Sequence, residues 1–230
     1  MGTDAVQQWE VHDTMIKGNE LLEADHPFKS TPGQWPSASK GILYWSKNTD
    51  KGWRNIYLVG NLYLWRLALL ATPIFLLSLI VLSFLRNREA IFYTSQLVSI
   101  ERAGLFFFGM WFVNWIGFFM FERQLFLHHY LPALVFNIML ISVVFELVTL
   151  AVPIIILRQF GRNRVTSQAE AEAAQDASVN HSVLRWLAVV LVAFVIGAAY
   201  FSLRPLSLGT VMTPEYCRSI KLLSTWEFNC

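Results

Sequence analysis

The chain has 230 residues, of which 55% are hydrophobic and only 15% are charged, and its mean hydropathy of +0.44 is too high for a water-soluble domain of this size. The net charge is +2 and the basic residues are scattered without an aromatic-interleaved patch, so the composition excludes a nucleic-acid-binding protein. The sequence therefore predicts a membrane protein.

The first 56 residues form a polar segment that we expect to be a tail or linker before the first span. The first 20 of them lack the apolar stretch of a cleavable signal peptide. The central sequence HPFKSTPGQWPSASKG contains three prolines and two glycines, which rule out a long helix there. Five aromatic residues precede the span, as in an interfacial aromatic belt: Trp35, Tyr44, Trp45, Trp53 and Tyr57.

Four apolar runs are long enough to cross a hydrocarbon core, which takes about 20 helical residues. They cover residues 62–85, 103–121, 131–157 and 186–203. The sequence thus predicts an all-α membrane protein with four transmembrane helices. We expect three parts, namely a tail over residues 1–56, a four-helix module over 57–205 and a second tail over 206–230.

The arginines predict the orientation of these helices. Four spans put both tails on one side, and the loops on the other side, 86–102 and 158–185, hold seven arginines. The positive-inside rule then places these loops in the cytoplasm and both tails in a lumen. Both cysteines, Cys217 and Cys230, lie in the second tail, where they could be free or could form a disulfide.

Two loop features follow from this orientation. The 158–185 loop is rich in Ala, Gln, Glu and Ser without an apolar period, so we expect it to be mobile and cytosolic, and its glycosylation sequon at Asn180 to stay bare. The sequence IFYTSQLVSI, residues 91–100, could lie as a short helix on the cytosolic membrane surface.

Polar residues inside the spans are costly and are therefore candidate functional positions. At about 1.5 Å per helical residue, Arg66, Asn114 and Asn137 share one depth near the lumenal end. They could build a polar pocket beneath the loop over 122–130. Alternatively, Arg66 extends to the surface and each asparagine bonds a neighbouring helix. Glu146 lies deeper and could pair with an arginine at the cytosolic surface or stay protonated against another helix.

The stretch FERQLFLHHYLPAL concentrates donor side chains between two spans: Arg123, His128, His129 and Tyr130. Together they suit an anionic lipid headgroup such as a phosphate, although an ordinary polar turn between two helices fits as well. Adjacent histidines on a helix point about 100° apart and do not share a metal easily, and the cysteines are far away in sequence. We therefore expect neither a metal site nor a cofactor.

The same stretch closely resembles a signature near the C-terminus of the protein O-mannosyltransferases. The strongest likeness is in RQLFLHHYLPAL, and three further stretches agree in order. HPFKSTPGQWP followed by KGILYW is similar to the segment that leaves the family's lumenal MIR-type module. IYLVGN with Trp65 is similar to the entry of the next helix, and LSTWEF to the terminal motif.

This resemblance implies the C-terminal four-helix part of a GT-C-like enzyme in the endoplasmic reticulum membrane, with both tails in the lumen. Such enzymes transfer mannose from dolichyl-phosphate-mannose to Ser or Thr of secretory proteins and work as dimers of related subunits. The resemblance adds Asn61 to the lipid-binding candidates. The family's catalytic Asp-Glu loop lies far upstream, so we expect this part to assist donor binding and subunit assembly and to be inactive by itself.

The sequence also departs from the family pattern. Leu62 stands where a proline is usual, and Arg66 where a second tryptophan is usual. Asn114 and Gly117 replace a histidine and a proline. These changes, with Met1 at the start, leave open a truncated or diverged non-catalytic module that associates with full-length mannosyltransferases. A small transporter or channel subunit is a third interpretation, suggested by charged residues within helices.

Overall fold

A computed structural model describes residues 3–20, 26–88, 94–160, 169 and 183–230 of the chain. The helices are α1 Thr3–Glu20, α2 Leu62–Asn87, α3 Ser95–Ile116, α4 Leu131–Phe160, α5 Val183–Leu208 and α6 Pro214–Ile220. The strands are β1 Ile42–Thr49, β2 Gly52–Leu58 and β3 Val211–Met212. Short 3₁₀ helices cover Pro32–Gln34, Gly117–Met120 and Leu127–Tyr130.

Four helices in the described ranges are long and apolar enough to span a membrane: Leu62–Asn87, Ser95–Met120, Leu127–Ala151 and Trp186–Leu208. Each predicted apolar run falls on one of them, so the all-α class with four transmembrane helices is confirmed. The separate surface helix expected over residues 91–100 is wrong, because α3 begins at Ser95 and continues to Ile116 without a break.

Side-chain caps explain where two of the spanning helices begin. The Asn61 side chain accepts a hydrogen bond from the Leu64 amide at 3.1 Å, and Thr94 Oγ1 accepts one from the Leu97 amide at 3.3 Å. Each cap satisfies an N–H of the first turn that has no partner within the helix. Thr94 is also buried, so the residues after it are fixed as the first turn of α3.

A β-hairpin that the sequence analysis does not predict occupies residues 42–58. β1 and β2 pair antiparallel, and β3 pairs antiparallel with β2, which gives a three-stranded sheet in the order β1-β2-β3. A register shift between Leu43 and Trp45 interrupts the alternation of side chains by which a strand is recognised. The hairpin also crosses the boundary that we expected at residue 56.

The hairpin, the connection between α3 and α4 and the C-terminal segment pack into one structure, which we call the head: residues 26–61, 121–130 and 209–230. Its apolar core continues into the adjoining ends of the spanning helices and includes Trp35, Tyr57, Trp65, Trp111, Leu127, Tyr130, Leu206 and Trp226. Trp35 and Tyr57 are therefore core residues and not members of a surface aromatic belt, whereas Tyr44 and Trp45 are exposed.

A second apolar core lies toward the other end of α2, α3 and α4. Its buried members are Phe75, Leu82, Leu97, Leu140, Val143 and Leu147. Gly104 of α3 lies so close to Phe75 that a Cβ there would be 2.3 Å from the phenyl ring. The absence of a side chain at Gly104 thus allows the close approach of α3 to its neighbours.

The C-terminal segment is tied to the head by a disulfide between Cys217 and Cys230, which decides between the two states that the sequence leaves open. Asn55 Nδ2 donates to the Asn229 carbonyl at 2.7 Å, and Trp226 Nε1 donates to the Ala38 carbonyl at 3.1 Å. These bonds join the end of the chain to the segment that precedes the first span.

Helix α1 lies within the segment expected to be a tail. Trp9 is 76% exposed, and Asp13 and Lys17 form an ion pair at 2.6 Å, one helical turn apart. The glycosylation sequon at Asn180 and most of the loop expected to be mobile, residues 161–168 and 170–182, lie outside the described residues.

Candidate functional site

The connection between α3 and α4 is held rigidly against the head. Leu125 and Leu127 are buried in its core, and the Leu125 carbonyl accepts a hydrogen bond from the Ser30 amide at 2.8 Å. Because these contacts hold Leu125 and Leu127 in place, the polar side chains close to them in sequence have defined positions. The stretch can therefore present donors to a ligand without first having to be ordered.

The two adjacent imidazoles stack on each other. The ring centroids of His128 and His129 are 4.3 Å apart with an interplanar angle of 27°. His129 Nδ1 accepts from the Phe126 amide at 3.1 Å, and its ring stacks on buried Trp35 at 6.2 Å. His128 lies on the solvent side of this stack and is exposed. His128 is thus the more accessible of the two imidazoles to an incoming ligand.

Tyr130 lies deeper than the sequence suggests. We expected it at the membrane surface, but it is 0% exposed and its hydroxyl accepts from Trp111 Nε1 at 2.9 Å. Asn137 Nδ2 is 3.5 Å from the same hydroxyl, and Asn137 Oδ1 accepts from Thr72 Oγ1 at 3.0 Å. The placement of Tyr130 as a surface donor is therefore wrong, because its ring fills the core and its oxygen links α3 to α4.

The polar pocket considered as one possibility for Arg66, Asn114 and Asn137 is not formed. Asn137 bonds Thr72 of the neighbouring helix α2, which is the alternative considered above. Asn114 Nδ2 instead donates to the Met110 carbonyl of its own helix at 2.8 Å. Arg66 is exposed at the edge of α2. The three residues lie at a similar depth, but their side chains do not point toward one another. Counting residues along a helix predicts the depth of a side chain and not the partner that it faces.

The side-chain amide of Asn61 makes one structural hydrogen bond through its oxygen and another through its nitrogen. Besides capping α2, its Nδ2 donates to the Ile196 carbonyl of α5 at 2.8 Å. Asn61 thus joins the first spanning helix to the last.

Of the candidate residues in the connection between α3 and α4, His128 is exposed and Arg123 is half-buried, with its Nε turned inward. The Arg123 guanidinium lies over the Phe121 ring at 5.5 Å from its centroid. Among the described residues, no group of three or more His, Cys, Asp and Glu side chains is arranged to hold a metal ion. A cation and an imidazole edge on a rigid stretch can bind an anionic group.

Sequence reasoning missed the tryptophans that build the head. Trp65 Nε1 donates to the Trp35 carbonyl at 2.7 Å, and Trp115 Nε1 donates to the Pro32 carbonyl at 2.9 Å. Each indole thus fills the core and also satisfies a carbonyl of the loop after His26. The high count of nine tryptophans was a signal, but an interfacial belt explained it equally well.

A second polar feature lies between α3 and α4, toward the far end from the head. A cavity there is lined by Ser95, Gln96, Ser99, Ile100, Glu146 and Leu150. Glu146, the deepest charged residue noted in the sequence, faces this cavity and so lies between helices.

The architecture is that of a four-span membrane module with an extramembrane head. The family described as the C-terminal four TMM region of protein-O-mannosyltransferase matches residues 6–226, nearly the whole chain. The chain belongs to the protein O-mannosyltransferase family, as its C-terminal four-helix region. With its four spanning helices and its membership of this family, the chain is a multi-pass protein of the endoplasmic reticulum membrane.

Two curated relatives illustrate the similarity. Dolichyl-phosphate-mannose–protein mannosyltransferase 1 of Saccharomyces cerevisiae is 30% identical over 226 residues, which cover 96% of this chain and 24% of the relative. Protein O-mannosyl-transferase 1 of Mus musculus is 36% identical over 141 residues, which cover 60% of this chain and 18% of the relative. The chain therefore spans about a quarter or less of the length of these relatives.

One solved structure agrees over almost the whole chain. It is the S. cerevisiae protein O-mannosyltransferase Pmt1-Pmt2 complex bound to the sugar donor, with a TM-score of 0.63 and 25% sequence identity. The match covers 95% of this chain and 26% of the solved chain. The head, which the sequence analysis did not resolve into a sheet, is thus included in the matched region.

Proposed function

We propose that this chain is the C-terminal membrane part of an enzyme that transfers mannose from dolichyl-phosphate-mannose to Ser or Thr of secretory proteins. In this proposal it helps to bind the lipid donor and to assemble with a related mannosyltransferase subunit. The observation that carries the proposal is the family match over residues 6–226. The similar solved structure, a two-subunit complex bound to its sugar donor, supports both finer roles.

Arg123 and His128 are the residues that we assign to the donor phosphate. Both lie on the rigid connection between α3 and α4, directly after one spanning helix and at the start of the next. A guanidinium bonds phosphate oxygens through paired N–H groups, and an exposed imidazole edge can add a further bond. His129 and Tyr130 act in this proposal by holding the connection in place, through Phe126 and Trp111 respectively.

We assign both tails, and therefore the head, to the lumen. The arginine-rich loops on the opposite side support this orientation. The Cys217–Cys230 disulfide supports it as well, since disulfides persist in oxidising compartments. A cysteine introduced at Ala174 should then react with a membrane-impermeant reagent only from the cytosolic side, and labelling only from the lumen would contradict the assignment.

Donor binding is tested with the purified chain in detergent and dolichyl phosphate as the probe. Arg123→Ala should weaken binding by about 1.5 to 3 kcal/mol, the range for hydrogen bonds to charged groups. Arg218→Ala, which removes an exposed arginine from α6, is the matched control and should leave binding unchanged. Leu125→Ala is unsuitable as a control because Leu125 is buried. Equal affinities of the Arg123→Ala variant and the unmodified chain would contradict the assignment.

We further propose that the chain by itself transfers no mannose. Transfer to a hydroxyl needs a base within hydrogen-bond reach of the acceptor, and these 230 residues contain no adjacent Asp-Glu pair. The assay combines purified chain, dolichyl-phosphate-mannose and a Ser/Thr-rich peptide, with a full-length relative as positive control. Glu122 is the one exposed carboxylate beside Arg123, so turnover that Glu122→Gln abolishes would identify it as the base and contradict this proposal.

The second candidate is a non-catalytic module that associates with full-length mannosyltransferases. Arg66, exposed on α2 where the family usually has a tryptophan, favours it. Co-expression with the upstream region of a full-length relative separates the two. Restored mannosyl transfer supports the enzyme part, whereas stable association without transfer supports the non-catalytic module.

A further inference from the structure

The outer face of the β-hairpin carries two like charges directly opposite each other. Lys47 of β1 and Arg54 of β2 are register partners in the antiparallel pair. Directly opposed residues point to the same face with Cβ atoms about 5 Å apart, and like charges in this position destabilise the pair. Trp45, two residues before Lys47 and opposite Ile56, lies on the same face.

Within the described part of the chain, neither charge is neutralised by a carboxylate. The Lys47 ammonium makes no hydrogen bond or ion pair there. The Arg54 guanidinium lies 5.6 Å from the centroid of the Trp45 ring, and its Nε donates to the Gly209 carbonyl at 2.8 Å. The nearby turn adds Asp50 and Lys51, whose charges cancel. The face therefore keeps an excess of positive charge that a bound anion would offset.

This charged face lies at the membrane boundary. Gly209, which accepts the Arg54 bond, directly follows Leu208, the last residue of the spanning helix α5. A Cβ at Gly209 would touch Ile56, so the end of α5 meets the hairpin face itself. Exposed apolar side chains surround the two cations: Trp45, Ile56, Leu208 and Val211. Tryptophan beside cations is the usual composition of a surface at the headgroup level of a bilayer.

We propose that this face binds the phosphate of a phospholipid headgroup in the leaflet that the C-terminal end of α5 reaches. Lys47 and Arg54 hold the phosphate oxygens, while Trp45 and the apolar residues contact the glycerol and upper acyl chain. Because the two cations then share one anion, the bound phosphate offsets the repulsion between them, and this favours binding. The site lies on different elements from Arg123 and His128, and its occupancy does not depend on mannosyl transfer.

The test uses the full chain in a non-ionic detergent with phosphatidylinositol, and native mass spectrometry counts the bound lipid. Lys47→Gln should raise the dissociation constant about fivefold, which corresponds to about 1 kcal/mol for one cation near a lipid surface, and should lower the bound fraction accordingly at lipid concentrations well below saturation. Lys51→Gln removes the same charge from the tip of the hairpin and should have no effect. Lys47 is the better position to change, because Arg54 also bonds Gly209 and its loss could unfold the hairpin.

Two further measurements identify the ligand and exclude a purely structural role. Diacylglycerol with the same acyl chains should not bind, and inorganic phosphate should not raise the Tm as phosphatidylinositol does. In phosphate-free detergent, Lys47→Gln should leave the Tm unchanged or raise it, since it removes a repulsion. Equal losses of lipid from Lys47→Gln and Lys51→Gln would overturn the proposal. So would binding of diacylglycerol, an equal Tm shift with inorganic phosphate, or a lower Tm of lipid-free Lys47→Gln.

Discussion

At the head end of the helix bundle, tryptophan side chains both fill the core and bond backbone carbonyls, as Trp65 does with Trp35 and Trp226 with Ala38. At the opposite end, the core consists of phenyl and aliphatic side chains such as Phe75 and Leu140. The difference follows from what each core covers. Helices satisfy their own backbone groups, whereas irregular loops bring unpaired carbonyls that need donors where water is excluded.

This contrast has an energetic consequence. Loss of an aliphatic side chain between helices removes apolar contact only, whereas loss of a head tryptophan also leaves a carbonyl or hydroxyl oxygen without its donor. We therefore expect substitutions in the head to cost more than substitutions between helices, and the following predictions test that order.

The largest effect should come from Trp35→Ala. Trp35 is 0% exposed and its Nε1 donates to Ser30 Oγ at 2.9 Å, so the variant leaves the buried Ser30 hydroxyl without its donor. We expect a loss of about 3 to 5 kcal/mol in the free energy of unfolding, as for other buried large-to-alanine changes. Thermal unfolding in detergent measures it, and Trp9→Ala on exposed α1 is the matched control. Similar Tm values for the two variants would show that the head contributes little.

The disulfide should have the next largest effect. Replacing both Cys217 and Cys230 by Ser should lower the free energy of unfolding by about 2 to 4 kcal/mol, the usual range for removing a native bridge. Limited proteolysis should then release the segment after residue 209 first. The unmodified chain treated with reductant should behave like the double variant, and no change on reduction would contradict the prediction.

Between helices, the effect should be smaller. Asn137 and Thr72 should show a coupling energy of about 0.6 kcal/mol, and at most about 1.7, in a double-mutant cycle of Asn137→Ala and Thr72→Val. Asn114→Ala breaks a bond within its own helix and should show no coupling to Thr72→Val. If the coupling energy between Asn137 and Thr72 exceeded the free-energy loss caused by Trp35→Ala, the predicted order of the two ends would be reversed.

The smallest effect should be a pH dependence. Burial raises the pKa of Tyr57 above its usual value, although bonds from the Glu227 and Gly41 amides partly oppose the shift. A raised pKa in the folded state means that the stability is present below about pH 10 and is lost as the pH rises beyond it. The loss should stay under about 1 kcal/mol at pH 10.5. Tm measured against pH should fall more for the unmodified chain than for Tyr57→Phe.

The sequence was sufficient for the membrane-spanning helices, because their length and apolarity are local properties of the chain. It was insufficient for the hairpin, since the register shift after Leu43 hides the period of two and β3 comes from the far end of the chain. The stretch after Phe121 was singled out for its donor side chains. Which of its residues would be buried could not be predicted, because the direction of Tyr130 depends on Trp35 and Trp111.

The bonds that close the head join residues that precede the four spanning helices to residues that follow them. Asn55 and Asn229 are 174 positions apart, and Ala38 and Trp226 are 188 apart. During synthesis, the carbonyl of Ala38 and the side chain of Asn55 must therefore wait until the fourth spanning helix and the residues up to Asn229 have been made. The head can thus close only after all four helices have been made, and a closed head reports that they are in place.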